Sequence, residues 1–236
     1  FDMIEGKDSF QYDVRDCIGK MHGVRPKVVL ITSPNNPTGN SISVSDLETI
    51  LKKAAVGTLV VLDEAYYGFN KRYDQRGFIG LLDRHPNLMI LRSFSKQYAL
   101  AGLRMGFALC GREVKDILRY QHYYLGGNRI LEEIAVAALK EKRYYTNLSN
   151  LVIQDRERFI ANTNKLRNYK AFSSQANCCI VRVSPAVKPL LEKRLSRVKV
   201  LISKFQTESL TRVTLGSRRY TDELLRIMKE TDRQAN

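Results

Sequence analysis

One lysine near the middle of the chain stands among residues that suit nucleophilic and anion-binding chemistry. Lys96 ends the segment Ser93-Phe94-Ser95-Lys96, in which two serines flank a phenylalanine. Apolar neighbours lower the pKa of a lysine because burial disfavours the charged ammonium, and the neutral amine is a nucleophile. The small hydroxyls together with Arg104 provide the groups of an anion site. Taken alone, a Ser-x-Ser-Lys pattern is more often an ordinary solvated loop.

Three apolar segments predict the strands that position this lysine and two further polar residues. Residues 27–32, 58–62 and 88–91 are continuous apolar runs without alternation, which predicts strands buried on both faces of a parallel sheet. Asn36, Asp63 and Lys96 each follow one of these runs. Ligands bind at the carboxyl ends of the strands in an open α/β sheet, so we expect an amide, a carboxylate and an amine to converge there.

The remaining pattern predicts helices between the strands and a different organisation near the end of the chain. Ser45 to Glu48 reads as a capping box that opens a helix, and the polar segment 70–80 reads as a surface loop. Further helices are expected over 13–21, 112–124, 130–139, 144–167, 189–197 and 221–230. Short strands over 177–183, 198–202 and 211–216 alternate with the last helices, which predicts a small α+β domain.

Composition excludes some classes of protein and leaves others open. The 236 residues carry a formal net charge of +15, spread along the chain, which suits a solvated surface or the attraction of anionic substrates. No RNA-binding motif accompanies the basic residues, so no specific nucleic-acid partner is expected. No apolar stretch is long enough for a membrane span. The four cysteines and three histidines show no metal-ligand spacing, and reduced thiols suggest a cytoplasmic location.

The spacing around Lys96 resembles a known signature. Ser93-x-Ser95-Lys96, continuing to Leu100, Gly102, Arg104 and Gly106, is similar to the lysine signature of the class I/II aminotransferases, which use pyridoxal phosphate. The branch that it resembles most is that of the histidinol-phosphate aminotransferases. Asn-Pro-Thr-Gly after the first strand, Asp-Glu-Ala-Tyr after the second and Arg-x-Thr-x-Gly near the end follow in the family's order.

The resemblance implies roles for the residues that would contact the cofactor ring. Lys96 would form the Schiff base with pyridoxal 5'-phosphate, and Asp63 would keep the pyridine nitrogen protonated. Asn36 and Tyr66 would donate hydrogen bonds to the phenolic oxygen. Lys96, Asp63 and Tyr66 are thus the expected catalytic residues.

The resemblance also implies a phosphate site and a substrate site. Ser93, Ser95 and Arg104 would hold the cofactor phosphate. Arg212 would bind a substrate carboxylate, and Asn177 resembles an asparagine at the start of the family's small domain. No metal is expected.

The implied fold is that of the fold-type-I pyridoxal-phosphate transferases, an α/β large domain with a mostly parallel sheet and helices on both faces, followed by a small α+β domain. We expect the large domain over 1–143, and a bridging helix with the small domain over 144–236. The family's chain normally begins well before this sequence, so the N-terminal part that carries the phosphate loop and the ring-stacking aromatic is not recognisable here. We expect exposed apolar surface in these 236 residues, and a homodimer in the complete protein.

The function implied is transfer of an amino group from an amino acid, or an amino alcohol phosphate resembling histidinol phosphate, to a 2-oxo acid such as 2-oxoglutarate. Two alternatives stay open. One is a decarboxylase or lyase on the same scaffold, similar to the threonine-phosphate decarboxylases. The other is a non-catalytic basic binding protein that reuses the fold. The sequence does not distinguish the amino donor.

Overall fold

The protein, seen here in a computed structural model, is described over residues 3–70, 75–118, 128–198 and 207–235. The strands are β1 (Met3–Glu5), β2 (Phe10–Tyr12), β3 (Val28–Thr32), β4 (Leu59–Asp63), β5 (Leu88–Ser93), β6 (Gly106–Cys110), β7 (Tyr169–Ala171), β8 (Cys178–Val183) and β9 (Leu210–Thr214). The helices are α1 (Val14–Val24), α2 (Val44–Lys53), α3 (Gln75–Arg84), α4 (Arg112–Leu118), α5 (Arg129–Lys140), α6 (Lys142–Thr163), α7 (Lys188–Leu195) and α8 (Arg218–Gln234). Except for Val198, which lies in a turn, the predicted strand over 198–202 falls on residues outside these ranges, as does the end of the predicted helix 112–124.

A four-stranded sheet in the order β3-β4-β5-β6 forms the centre of the larger unit. β3, β4 and β5 pair in parallel, and β6 returns antiparallel to β5. The parallel connections run through α2 and α3, as expected when strands are joined by helical crossovers. The sheet is therefore mixed and mostly parallel, which confirms the predicted α/β fold class.

The main core of this unit lies on one face of the sheet. Alternate residues of the three parallel strands point to this face, and α1, α2 and α3 cover it. Ile31, Leu62 and Ile90 stand side by side in the register and are completely buried. Their burial against the three helices supplies the hydrophobic stabilisation that holds the strands in place.

The opposite face is less covered at β3. Val28 and Leu30 are 53% and 56% exposed, whereas Val29 and Ile31 are buried. The prediction that residues 27–32 are buried on both faces is wrong for this strand. A continuous apolar run shows that both faces tolerate burial, but the neighbouring elements decide whether both are covered.

Two local predictions are also corrected. Residues 75–84 form α3 rather than a loop, because burial of Phe78 and Leu81 outweighs the unfavourable helix propensity of the two glycines in this segment. The N-cap of α2 is Ser43, whose hydroxyl accepts a hydrogen bond from the Asp46 amide at 3.0 Å, and Ser45 lies in the first turn. The N-cap therefore lies two residues before the predicted one at Ser45.

A second core surrounds the smaller sheet. β7, β8 and β9 pair antiparallel, and α6, α7 and α8 pack on them around the completely buried Phe159. The hairpin of β1 and β2 also contacts this sheet, where the Phe10 and Phe172 ring centroids are 4.9 Å apart. The domain division at residue 143 stays a prediction. None of the helices in the described ranges is long and apolar enough to cross a membrane.

The alternation along β3 generates a prediction for a polypeptide of these 236 residues. Val28→Thr with Leu30→Thr should reduce binding of a hydrophobic dye and leave the free energy of unfolding nearly unchanged, because both side chains are already exposed. Ile31→Thr should lower that free energy by about 3 kcal/mol, because it removes buried apolar contacts and buries a hydroxyl. Dye fluorescence and urea unfolding measure the two effects. Equal destabilisation by both variants would contradict the described register.

Candidate active site

The carboxyl ends of the three parallel strands meet at one edge of the larger sheet. Thr32 pairs with Asp63, and Asp63 pairs with Leu91. The hydrogen-bond ladder continues past the strands, because the Ser33 amide donates to the Asp63 carbonyl and the Glu64 amide donates to the Leu91 carbonyl, both at 2.8 Å. The loops that carry Asn36, Asp63 and Lys96 are thereby brought side by side.

The loop after β3 uses one of its two asparagines to hold its shape. Asn35 is buried and donates from its side chain to the Thr38 hydroxyl at 2.6 Å, and its backbone bonds to Gly39 and Asn40. Gly39 has a φ of +75°, and a Cβ there would lie 2.1 Å from the Ser174 hydroxyl. Only glycine fits this position without displacement. Asn36 is exposed, with its side chain available to the site.

Asp63 is the last residue of β4, and Tyr66 lies in the turn that follows. One carboxylate oxygen of Asp63 accepts a hydrogen bond from the Ala65 amide at 2.9 Å, which fixes the side chain at the sheet edge. Burial raises the pKa of Tyr66, as does the nearby Cys178, while Arg212 lowers it and Asp63 raises it. The phenol therefore stays protonated over a wider pH range and remains a hydrogen-bond donor.

Lys96 lies in the loop after β5, near Tyr66. Its Nζ is 5.5 Å from the centroid of the Tyr66 ring. The Ser95 amide donates to the Ser93 hydroxyl at 3.0 Å, so the first serine shapes the loop. Arg104 is exposed, has a φ of +55° and donates to the Ala101 carbonyl at 3.0 Å. The structure thus brings Lys96 to Tyr66, whereas the predicted roles of Ser93, Ser95 and Arg104 toward phosphate stay predictions.

Arg212 on β9 joins the small sheet to this edge. Its Nη1 donates to the Asn36 Oδ1 at 2.8 Å, and its buried Nε has no hydrogen-bond partner in the part of the chain that the structure describes. The Asn177 carbonyl accepts from the Leu215 amide at 2.8 Å, and the role of its side chain toward substrate stays a prediction. Arg212 reaches this edge only through packing of the small unit on the large one.

Two nearby residues were not predicted from the sequence. Arg156 on α6 is 3% exposed and its Nη1 donates to the carbonyls of Phe69 and Ala176, each at 2.8 Å. It therefore ties the loop after Tyr66 to the segment before β8. Burial raises the pKa of the Cys178 thiol, and the neighbouring positive charges, Arg212 first, act against that rise. Nothing in the local sequence distinguishes this arginine from others on a strongly charged helix.

The positioned groups at this edge are an amine, a carboxylate, an amide, a phenol and a guanidinium. Such a set can bind a dianionic ligand covalently and move protons, and it needs no metal. Within the four described ranges, no group of three or more His, Cys, Asp or Glu side chains is placed to hold a metal ion.

Residues 3–228 match the family described as Aminotransferase class I and II, and the chain belongs to this family. Histidinol-phosphate aminotransferase 2 of Archaeoglobus fulgidus is 35% identical over 209 residues, which are 87% of this chain and 58% of that protein. The chain spans 58% to 65% of the length of four curated relatives that it matches, all named histidinol-phosphate aminotransferases.

Solved structures show the fold-type-I architecture. The histidinol-phosphate aminotransferase from Sinorhizobium meliloti, in complex with pyridoxal-5'-phosphate, aligns with a TM-score of 0.83 and 22% identity over 98% of this chain and 63% of that one. The L-threonine-O-3-phosphate decarboxylase from Porphyromonas gingivalis aligns with a TM-score of 0.74 and 18% identity over 93% of this chain and 69% of that one. The same scaffold therefore occurs in proteins named for different reactions.

Burial of Tyr66 generates a prediction about alkaline titration. The part of the alkaline absorbance change that disappears in Tyr66→Phe reports the titration of Tyr66. Its midpoint should lie above the ordinary phenol pKa of about 10. The folded-state pKa is raised, so the stability contributed by the neutral phenol is present below the unfolded value and lost as pH rises through the folded one. In concentrated urea the midpoint of this Tyr66 titration should return to the ordinary phenol pKa. A midpoint at or below the ordinary pKa in the folded protein would contradict the described burial.

Proposed function

We propose that this chain forms the greater part of a pyridoxal-phosphate-dependent aminotransferase. The observation that carries the proposal is the convergence of Asn36, Asp63, Tyr66 and Lys96 at one sheet edge, with Arg212 bonded to Asn36. Membership of the class I and II aminotransferase family supports the same reaction. The curated relatives are named histidinol-phosphate aminotransferases, which favours an amino alcohol phosphate resembling histidinol phosphate, or an amino acid, as donor.

The donor set fits the chemistry of pyridoxal phosphate. When bound, the cofactor supplies an electron-withdrawing ring that makes the α-hydrogen of an amino substrate acidic. The cofactor has an aldehyde, a ring nitrogen, a phenolic oxygen and a phosphate, and the chain offers a group for each. The amine of Lys96 suits the aldehyde, and the carboxylate of Asp63 suits the protonated nitrogen.

Lys96 would carry the proton transfers, and Asp63 would support them. The neutral Nζ of Lys96 can take a proton from the substrate α-carbon and return it to a different atom, which is the step that separates transfer of an amino group from simple binding. The carboxylate of Asp63 stabilises a positive charge on the ring nitrogen, because an opposite charge in direct contact favours the protonated form. The Ala65 amide keeps this carboxylate in place.

The other predicted residues would orient the ligand. The Tyr66 hydroxyl and the Asn36 side-chain amide are donors for the phenolic oxygen, and the protonated state of Tyr66 agrees with this role. Ser93, Ser95 and Arg104 would contact the phosphate. Charge-assisted bonds of this kind are stronger than neutral ones.

Arg212 would bind the substrate. Its guanidinium can form two parallel hydrogen bonds to a carboxylate, and its buried Nε has a free donor within the described part of the chain. A 2-oxo acid such as 2-oxoglutarate carries that carboxylate. Asn177 immediately precedes β8, the strand next to β9, and would line the same side.

A decarboxylase or lyase is the second candidate function, because the fold also occurs in L-threonine-O-3-phosphate decarboxylase. A non-catalytic basic binding protein is favoured only by the net charge of +15. Convergence of Asn36, Asp63, Tyr66 and Lys96 at one sheet edge argues against lost chemistry. We further propose a cytoplasmic homodimer for the complete gene product, in keeping with the family.

The central test is covalent labelling of the complete gene product. After incubation with pyridoxal phosphate and borohydride reduction, peptide mapping should place the label on Lys96, because its amine lies 5.5 Å from the ring centroid of Tyr66, one of the expected cofactor contacts. Lys96→Ala should lose the label, and Lys170→Ala, in the small unit, should retain it. A label on any other lysine would refute the assignment. Amino-group transfer should require an added 2-oxo acid, whereas carbon dioxide release without one would favour the decarboxylase.

Arg212→Ala should weaken the apparent affinity for the 2-oxo acid by at least about ten-fold, because a charge-assisted bidentate contact is lost. Arg212→Lys should recover little of it, since an ammonium cannot form the planar pair of bonds. Steady-state kinetics with each substrate varied separately measures both effects. If the donor has no carboxylate, its KM should change less than that of the acceptor. Unchanged constants for both substrates would exclude Arg212 from the site.

A further inference from the structure

A buried ion pair lies directly beneath the predicted active site and has no part in the roles described so far. Glu64 is completely buried and the Arg92 side chain is 8% exposed, with the Arg92 Nε and the Glu64 Oε2 2.8 Å apart. Removing two charges from water is unfavourable, and a buried ion pair often contributes little net stability compared with apolar packing. Its place beside the site therefore calls for a functional explanation.

The pair connects the loop that carries Asp63 to the loop that carries Lys96. Glu64 follows Asp63 directly. The Arg92 guanidinium lies over the Tyr67 ring, 4.4 Å from its centroid, and the Tyr67 hydroxyl donates to the Tyr98 hydroxyl at 3.1 Å. Tyr98 lies two residues after Lys96. The contacts therefore run from Glu64, the residue after Asp63, through Arg92 and Tyr67 to Tyr98, two residues after Lys96.

A second observation supports close packing between the loop after β4 and the loop after β5. A Cβ on Gly68 would lie 2.2 Å from the side-chain Cδ of Gln97, the residue after Lys96. Glu64 Oε1, Arg92 Nη2 and Gln97 Oε1 are buried without a hydrogen-bond partner in the part of the chain that the structure describes. A pair selected for stability alone is expected to satisfy such atoms.

We infer that Glu64 and Arg92 are positioning residues, which fix Asp63 relative to Lys96 and set the charge beneath the cofactor ring. The inference rests on the proposed function, because it refers to the roles of those two residues. Arg92 lies on β5, the strand that leads to Lys96, and its planar group makes two contacts with the segment that follows Asp63: its Nε bonds to the Glu64 carboxylate, and its face covers Tyr67. A lysine has no equivalent of this double contact.

The charges beneath the site act together. Burial raises the pKa of Glu64 to about 7, against the opposing effect of Arg92, and Asp63 contributes to the rise. Arg92, Asp63 and Tyr67 are the charged or titratable groups that face it in the described chain. While Glu64 is ionised, it neutralises Arg92. Removal of the Glu64 negative charge would leave the positive charge of Arg92 uncompensated near Asp63. That charge would disfavour a proton on the ring nitrogen of the cofactor or on the Lys96 nitrogen bound to it.

Two variants separate the charge from the geometry. In the complete gene product, Glu64→Gln should shift the pH midpoint of the bound cofactor's absorbance to lower pH, because it leaves Arg92 uncompensated. The double variant Glu64→Gln with Arg92→Met restores neutrality, so its melting temperature and midpoint should return toward the wild type. The dissociation constant of the double variant for pyridoxal phosphate should be at least about ten-fold above that of the wild type, because the two loops are no longer held together. If the double variant does not fold, Arg92→Lys, which keeps the charge, should show the same weaker binding.

The control is Arg158→Met on α6. Arg158 contacts Asp155 and Asp222, away from Lys96, so its loss should lower the melting temperature and leave the midpoint and the dissociation constant unchanged. An unshifted midpoint in Glu64→Gln, or wild-type cofactor binding in the folded double variant or in Arg92→Lys, would overturn the inference. Failure of the wild type to bind pyridoxal phosphate would instead refute the proposed function.

Discussion

The parallel register of β3, β4 and β5 is the constraint on which the candidate site depends. Thr32, Asp63 and Leu91 lie in one row, and hydrogen bonds from Ser33 and Glu64 extend that row beyond the strands. A slip of one residue would reverse the facing of every side chain in the slipped strand. Burial of the alternate apolar residues against α1, α2 and α3 prevents such a slip. The same packing that stabilises the sheet therefore sets the position of the site residues.

The site is completed across two separate hydrophobic cores. Arg212 belongs to the small sheet and bonds to Asn36 of the large one, while Arg156 binds carbonyls of Phe69 and Ala176 on either side of the junction. Each contact leaves little room for the two units to separate without breaking charged hydrogen bonds, which are among the stronger ones in proteins. A change in how the units pack would thus alter the substrate side of the site first, and leave Asp63 and Lys96 in place.

Electrostatics explains why groups of both signs lie so close together here. In the proposed function, Lys96, Arg104 and Arg212 would offer positive charge to an anionic ligand, and Asp63 would provide one negative charge for a cationic ring. Beneath them, Glu64 and Arg92 cancel each other in a buried pair. A site built in this way can bind phosphate and carboxylate groups and still retain a local negative charge where the proposed chemistry needs one.

The sequence by itself determined β3, β4, β5, β8 and β9, the order of the motifs and the family resemblance, because these depend on local apolar runs and on residue types at fixed spacing. It did not predict α3, the N-cap at Ser43, or the exposed face of β3. Nor did it indicate Arg156 or the Glu64–Arg92 pair. Those features depend on which elements pack together, since burial, ion pairing and pKa arise from residues distant in the chain, and only the tertiary structure brings them into contact.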